Sequence, residues 1–261
     1  MNIFDFQKKK QAGEKISMLT CYDYSSAKIL AGTDIDCLLV GDSLGMTIYG
    51  FQNTLSTTLE MMQLHTAAVC RGAPNKFIVG DLPFLSYRKS FSQNITAAGS
   101  LMQAGASAVK LEGATGNLKL VRHLQESGIP IMGHVGLTPQ SMFMLGGYKI
   151  QGKDAETAKR LKEDAFALQD AGCFAVVLEC VPSNLARDIT QALVIPTIGI
   201  GAGMATDGQV LVWQDALGLN IDFKPKFVQV FSDGQKHCTD GINAYIKAVQ
   251  SGKFPHNEHC Y

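Results

Sequence analysis

Four acidic residues stand where buried strands would end. Asp42 closes CLLVGD (37–42), Asp81 lies in KFIVGDLPF (76–84), Glu112 in SAVKLEG (107–113) and Glu179 in CFAVVLECVP (173–182). Carboxylates gathered at one place raise one another's pKa unless a cation neutralises them. A donor set of oxygens, without His or Cys, selects a hard cation, Mg²⁺ ahead of Ca²⁺ or Mn²⁺. Mg²⁺ takes one or two protein carboxylates and leaves positions for water and substrate oxygens, so one of the four acids can remain free as a base. Lys110 lies two residues before Glu112 and faces the same way on a strand. A lysine buried there is costly unless it reaches a polar cavity. The Lys110/Glu112 pair therefore lines a site or seals the end of the sheet as an ion pair. A single Asp after a strand also fits a turn or a helix cap; the convergence of four acids is what argues for a metal-dependent site.

The remaining polar candidates carry less. His134 follows Gly133 at the end of another apolar run, either as a satisfied polar residue or as a substrate contact, and His65 reads as structural. His123, His237, His256 and His259 have no partner pattern. GIGAG (199–203) fits a phosphate-cradling loop or a tight turn that lets backbones approach. Ser43 and Ser183 lack the His/Asp arrangement of a nucleophile, and Cys180 beside Glu179 reads as packing.

Positioning these residues requires a parallel sheet. Eight short apolar runs, at 16–23, 37–42, 76–84, 107–113, 129–136, 173–182, 195–203 and 208–218, alternate with helix-like stretches. Runs this continuously apolar are buried on both faces, which strands of a parallel sheet are. Thr57 with Glu60 reads as a capping box, residues 155–172 as an amphipathic helix closing on Gly172, and Pro182-Ser183 as the start of a helix toward Leu193. Eight repeats of the unit close as a (β/α)8 TIM barrel in a single domain, 1–261, with short terminal extensions; an open doubly wound sheet is the alternative. An internal echo supports the barrel. AGASAVKLE (104–112) and AGCFAVVLE (171–179) agree at six of nine positions, and each ends on one of the four acids. Beyond about Asp222 only a helix near 240–250 is expected.

Bulk properties exclude some classes. Among 261 residues Lys plus Arg (23) equals Asp plus Glu (23). That balance argues against charge-driven binding of nucleic acid or membrane surface. Seven scattered cysteines without a CxxC pair read as reduced thiols. The polar start MNIFDFQKKKQ is no signal peptide and no run reaches membrane-spanning length, so a cytoplasmic protein is expected.

The strings VGDSLGMT (40–47), HTAAVCRGAPN (65–75), DLPFLSY (81–87), AVKLEG (108–113), GHVGLTPQS (133–141), GGYKIQG (146–152), LECVP (178–182), IGIGAG (198–203) and TDGQVLV (206–212) follow a known order. Together they strongly resemble the ketopantoate hydroxymethyltransferase family from about Ile16 to Gly218, departing at WQDALG (213–218), where a histidine-aspartate pairing is more usual. The resemblance implies a (β/α)8 barrel that moves a hydroxymethyl group from 5,10-methylenetetrahydrofolate to 3-methyl-2-oxobutanoate through a Mg-stabilised enolate, giving 2-dehydropantoate for pantothenate and coenzyme A. By motif it implies that Asp42 and Asp81 hold one Mg²⁺ per subunit and that Glu112 completes the metal site directly or through water. It implies substrate contacts from Asp42, Ser43, Asp81 and Lys110, and a proton acceptor in Glu179. It also implies a homodecamer. Two other readings remain: a related Mg²⁺ barrel of the isocitrate lyase and phosphoenolpyruvate mutase group, whose catalytic cysteine loop is missing here, and a non-enzymatic scaffold, which the buried charges disfavour.

Overall fold

A computed structural model describes residues 1–221 and 224–261; Asp222, at which the unassigned tail was set to begin, lies outside them. The chain divides into two compact units, Met1–Leu211 and Val212–Tyr261.

The first unit is a closed barrel of eight parallel strands in sequence order. They are β1 (Ile16–Thr20), β2 (Cys37–Val40), β3 (Phe77–Asp81), β4 (Ala108–Lys110), β5 (Ile131–Gly136), β6 (Ala175–Glu179), β7 (Thr197–Ile200) and β8 (Gly208–Leu211). Each falls inside one of the eight apolar runs, and β8 closes on β1 with Ile16 opposite Gly208. The helices are α1 (Ile3–Ala12), α2 (Tyr24–Ala31), the short α3 (Leu44–Thr47), α4 (Leu59–Gly72), α5 (Phe91–Gln103), α6 (Leu118–Glu126), α7 (Ala155–Asp170) and α8 (Ser183–Ala192). Residue 172 takes a left-handed φ of 104° just beyond α7, as a glycine after a helix end does. The capping box falls one residue later than the sequence suggests. Thr58, not Thr57, accepts the N–H of Met61, because the Thr57 hydroxyl is turned inward and donates to the backbone carbonyl of Asp42 at 2.8 Å.

Alternate strand residues fill the barrel: Met18, Leu39, Val79, Ala108, Met132, Val177, Ile198 and Val210 belong to one buried cluster. Burying each of the larger ones is worth about 1.5–3 kcal/mol. The N-terminal extension completes this core. Phe6 of α1 is fully buried, edge-on to Phe77 and Phe174 with ring centroids 5.2 Å away in both cases.

The second unit holds α9 (Trp213–Ala216) and α10 (Gly234–Gln250), the latter covering the helix expected near 240–250. No residue of α10 is buried, and Ile242, Tyr245, Ile246 and Val249 form an exposed stripe at helical spacing. Among the described residues no helix is long and apolar enough to cross a membrane.

Candidate active site

The period of two along a strand places the chemistry. Val79, Ala108, Met132 and Val177 point into the barrel, so the residues two positions on, Asp81, Lys110, His134 and Glu179, point into the same lumen at its C-terminal mouth. Asp42, Ser43 and Glu112 reach that mouth from the loops just past β2 and β4. All six residues singled out from the sequence are brought together, and His134 joins them.

The contacts run around the mouth in order. Ser43 Oγ lies 2.8 Å from the hydroxyl of Tyr22, a buried residue just past β1. The Asp42 N–H donates to Asp81 Oδ2 at 3.1 Å. Lys110 Nζ meets Asp81 Oδ1 at 2.7 Å, both side chains about 5% exposed or less. The register explains that pair, since Asp81 and Lys110 are direct partners between β3 and β4. The lysine's ion-pair partner is therefore Asp81 on the neighbouring strand, not Glu112 on its own. Gln140, in a 3₁₀ turn at Pro139–Ser141, donates through Nε2 to Asp42 Oδ2 at 2.8 Å and through its backbone N–H to Glu112 Oε2 at 3.0 Å. His134 stands between the two glutamates, Nδ1 3.7 Å from Glu112 Oε1 and Nε2 3.3 Å from Glu179 Oε2; the first is too long and the second too poorly aligned for a hydrogen bond.

Sequence reasoning missed Gln140, Tyr22 and Tyr87. Tyr87 donates its hydroxyl proton to Gln140 Oε1 at 2.7 Å and accepts the Glu112 N–H at 3.3 Å. Gln140 and Tyr87 sit inside the quoted strings GHVGLTPQS and DLPFLSY, where a polar residue past a strand looks like any loop residue. His65 is structural, as expected: its ring bridges the Tyr22 carbonyl and the Tyr49 hydroxyl.

Backbone geometry fixes Glu179. Gly136 pairs with it across β5 and β6 at φ 98°, and a Cβ there would lie 2.2 Å from the Glu179 carbonyl oxygen. Only glycine lets the strands approach so closely while Leu137 N–H donates to that carbonyl at 2.8 Å. The next residue, Cys180, adopts a left-handed φ of 47°; burial, then the Glu179 charge, pushes its thiol up to about 12, which suits packing rather than a nucleophile. In GIGAG the tight-turn reading has a physical reason, since a Cβ on Gly203 would lie 2.6 Å from Ser183 Cβ.

Charge at the mouth is unbalanced: four carboxylates face one lysine. Burial and then the Asp81 charge push Asp42 up to about 7 from 3.8, and burial with the Asp42 charge lifts Glu112 well above its usual 4.5. Burial opposes the Lys110 charge, but Asp81, Glu112 and Asp42 outweigh it and raise its pKa. The folded chain thus holds more protons than the unfolded chain from just above the unfolded carboxylate values up to about pH 7, and stability falls as pH rises through that window. Chelator-treated protein is expected to melt lower at about pH 8 than at about pH 5. Scanning calorimetry showing a rising midpoint over that interval would overturn this assignment of buried charge.

The same imbalance tests whether a cation fits. Among the described residues no three His, Cys, Asp or Glu side chains already surround one metal-sized point. A ready-made cage is therefore not what the site offers. Adjacent Asp42 and Asp81, oxygen donors in an excess of negative charge, do fit the one or two direct carboxylates that a hydrated Mg²⁺ needs.

With this geometry in place, comparison with known proteins decides the family. The sequence profile of ketopantoate hydroxymethyltransferase matches residues 1–257. The chain belongs to the ketopantoate hydroxymethyltransferase family. It is 56% identical over 260 residues to the 3-methyl-2-oxobutanoate hydroxymethyltransferase of Francisella tularensis subsp. holarctica (strain OSU18), covering 100% of this chain and 98% of that one. It is 58% identical over 259 residues to the protein of that name from Bdellovibrio bacteriovorus, covering 99% and 98%. Outside the ketopantoate hydroxymethyltransferases, the fold is similar to a putative phosphonomutase from Burkholderia cenocepacia J2315, with TM-score 0.66, 16% identity and coverage of 84% and 95%. It is also similar to a phosphonopyruvate hydrolase, with TM-score 0.63, 8% identity and coverage of 97% and 88%. At such identities these two likenesses concern the barrel alone.

Proposed function

We propose that this chain transfers a hydroxymethyl group from 5,10-methylenetetrahydrofolate to 3-methyl-2-oxobutanoate, giving 2-dehydropantoate on the route to pantothenate, in a Mg²⁺-dependent reaction in the cytoplasm. The observation that carries the proposal is one run of contacts at the barrel mouth of a member of this family, from Lys110 through Asp81, Asp42, Gln140, Glu112 and His134 to Glu179, with Ser43 next to Asp42 and held by Tyr22. Asp42 and Asp81 would hold the Mg²⁺, with Glu112 beside them directly or through water. Bound there, the ion would draw electron density from the keto and carboxylate oxygens of a 2-oxo acid and so acidify its C3–H.

The rest falls to the chain's own residues. Lys110, kept charged by its acidic neighbours, offsets negative charge on the substrate. Ser43, aligned by Tyr22, supplies a hydrogen bond to it. Glu179, at the end of β6, takes the C3 proton. The carbon left behind bonds to the one-carbon unit, water supplies its hydroxyl, and both bonds from that unit to folate nitrogens break. Tetrahydrofolate leaves carrying two protons, one from C3 and one from water. A second, larger substrate also needs room outside the cluster of acids. A cleft of about 460 Å³ is lined by Thr57, Phe84, Ser86 and Lys89 among others; it borders the site only through Thr57, whose hydroxyl donates to the backbone carbonyl of Asp42. The family resemblance implies a homodecamer, and the exposed apolar stripe on α10 is a surface that association of chains would cover; a monomeric mass near 28.1 kDa in solution would reject it.

The deciding experiment is exchange of the C3 hydrogen of 3-methyl-2-oxobutanoate with D₂O, followed by proton NMR without folate. Mg²⁺-dependent exchange is expected. No exchange by metal-loaded protein, and no turnover once methylenetetrahydrofolate is added, sinks the proposal.

A further inference from the structure

We propose that Gln140 is a positioning residue for the metal-site carboxylates, locked in one amide orientation by Tyr87. The inference rests on the Mg²⁺ reading above and adds to it a residue outside the ligand set.

The direction of every hydrogen bond around Gln140 is fixed by a partner with one option. The Leu82 carbonyl can only accept, and Gln140 Nε2 lies 3.0 Å from it while also donating to Asp42 Oδ2 at 2.8 Å. The Glu112 N–H can only donate, and it donates to the Tyr87 hydroxyl. Tyr87 therefore directs its own proton to Gln140 Oε1 at 2.7 Å, leaving the amide nitrogen facing Asp42. The backbone N–H of Gln140 adds the bond to Glu112 Oε2 at 3.0 Å. One buried residue thus orients carboxylates from two separate loops, after β2 and after β4, and is tied to a third segment through Leu82.

Burial gives these bonds weight. Asp42, Glu112, Tyr87 and Gln140 are each 7% exposed or less. Two acids that repel one another would otherwise rotate apart; donors on one oxygen of each set where the other oxygen points. Partners one layer behind metal ligands orient them in this way, and losing such a partner costs about 10–100-fold in metal affinity or activity.

The test titrates Mg²⁺ calorimetrically into chelator-treated, full-length wild type, Gln140→Leu, Tyr87→Phe and the double variant. Wild type is expected to bind about one ion per chain. Gln140→Leu is expected to weaken binding by about 10–100-fold, and Tyr87→Phe to weaken it less. Tyr87 reaches Asp42 only by way of Gln140 but also accepts the Glu112 N–H directly, so the double variant should lose more than Gln140→Leu alone and less than the product of the two single losses. A loss of fold stability by itself leaves the affinity of the folded protein unmoved, so circular dichroism and unfolding midpoints separate the two effects. Gln140→Leu that folds and binds Mg²⁺ like wild type overturns the proposal. If Gln140→Leu fails to fold, Tyr87→Phe decides, since it removes one hydroxyl and keeps the ring; unchanged affinity there overturns the proposal equally. Wild type that binds no Mg²⁺ rejects the metal reading itself, and this inference with it.

Discussion

Glu179→Gln is expected to leave Mg²⁺ and 3-methyl-2-oxobutanoate bound while exchange of the C3 hydrogen falls by about 10²–10⁴-fold, the usual contribution of a positioned general base. Glu179 differs from the other three acids in two ways. Its side chain is 18% exposed, against 3% for Glu112 and 4% for Asp81. Among the described residues no hydrogen bond ties its carboxylate down, whereas donors hold Asp42, Asp81 and Glu112. An acid free to meet a substrate hydrogen is a base; an acid already clamped is better suited to hold an ion. Glutamine keeps the shape and removes the proton acceptor, so binding measured by calorimetry should survive. Exchange at the wild-type rate would move the base elsewhere, and His134, 3.3 Å away, would be examined next.

Asp81→Ala is expected to do the reverse, abolishing measurable Mg²⁺ binding and destabilising the fold together. The substitution strands the Lys110 ammonium, 5% exposed, without its 2.7 Å partner, and removes the acceptor of the Asp42 N–H. Breaking one side of a buried ion pair costs about 3–5 kcal/mol. Asp42 and Glu112 still surround Lys110, which places the expected loss toward the lower end. Urea unfolding measures the first effect and Mg²⁺ titration of the folded fraction the second. Asp81→Asn separates them, because the amide oxygen can still accept the Asp42 N–H while the charge is lost. Undiminished Mg²⁺ affinity in the alanine variant would remove Asp81 from the ligand set.

Why so much of this was readable from the sequence follows from strand periodicity. A strand buried on both faces must be apolar throughout, so a charge at its end is conspicuous: Asp81 after Phe77-Ile78-Val79-Gly80 and Glu179 after Val176-Val177-Leu178. The same logic located all eight strands. It has no purchase on residues whose role depends on where a loop folds back. Gln140 reaches Asp42 across 98 positions, and Tyr87 reaches Gln140 across 53, through turns whose polar composition is ordinary. Register is equally hidden: the choice of Asp81 over Glu112 as partner of Lys110 depends on how β3 slides against β4. Phe6 was invisible for another reason, since Lys8, Lys9 and Lys10 follow it and only the barrel's open base supplies its environment.

The pairing of β1 with β8 has a consequence for how the chain acquires its structure. Ile16 meets Gly208, and nearby Lys10 reaches Asp207 at 2.8 Å, so the seam joins segments separated by almost the whole first unit. During synthesis, both edges of the growing sheet stay unpaired until residue 211 has emerged, because no earlier strand can occupy the last place in the ring. Contacts this distant in sequence are slow to form, and open edges invite pairing with other chains. The interval before closure is therefore when the polypeptide is most exposed to aggregation, and a product truncated before Leu211 would never leave it.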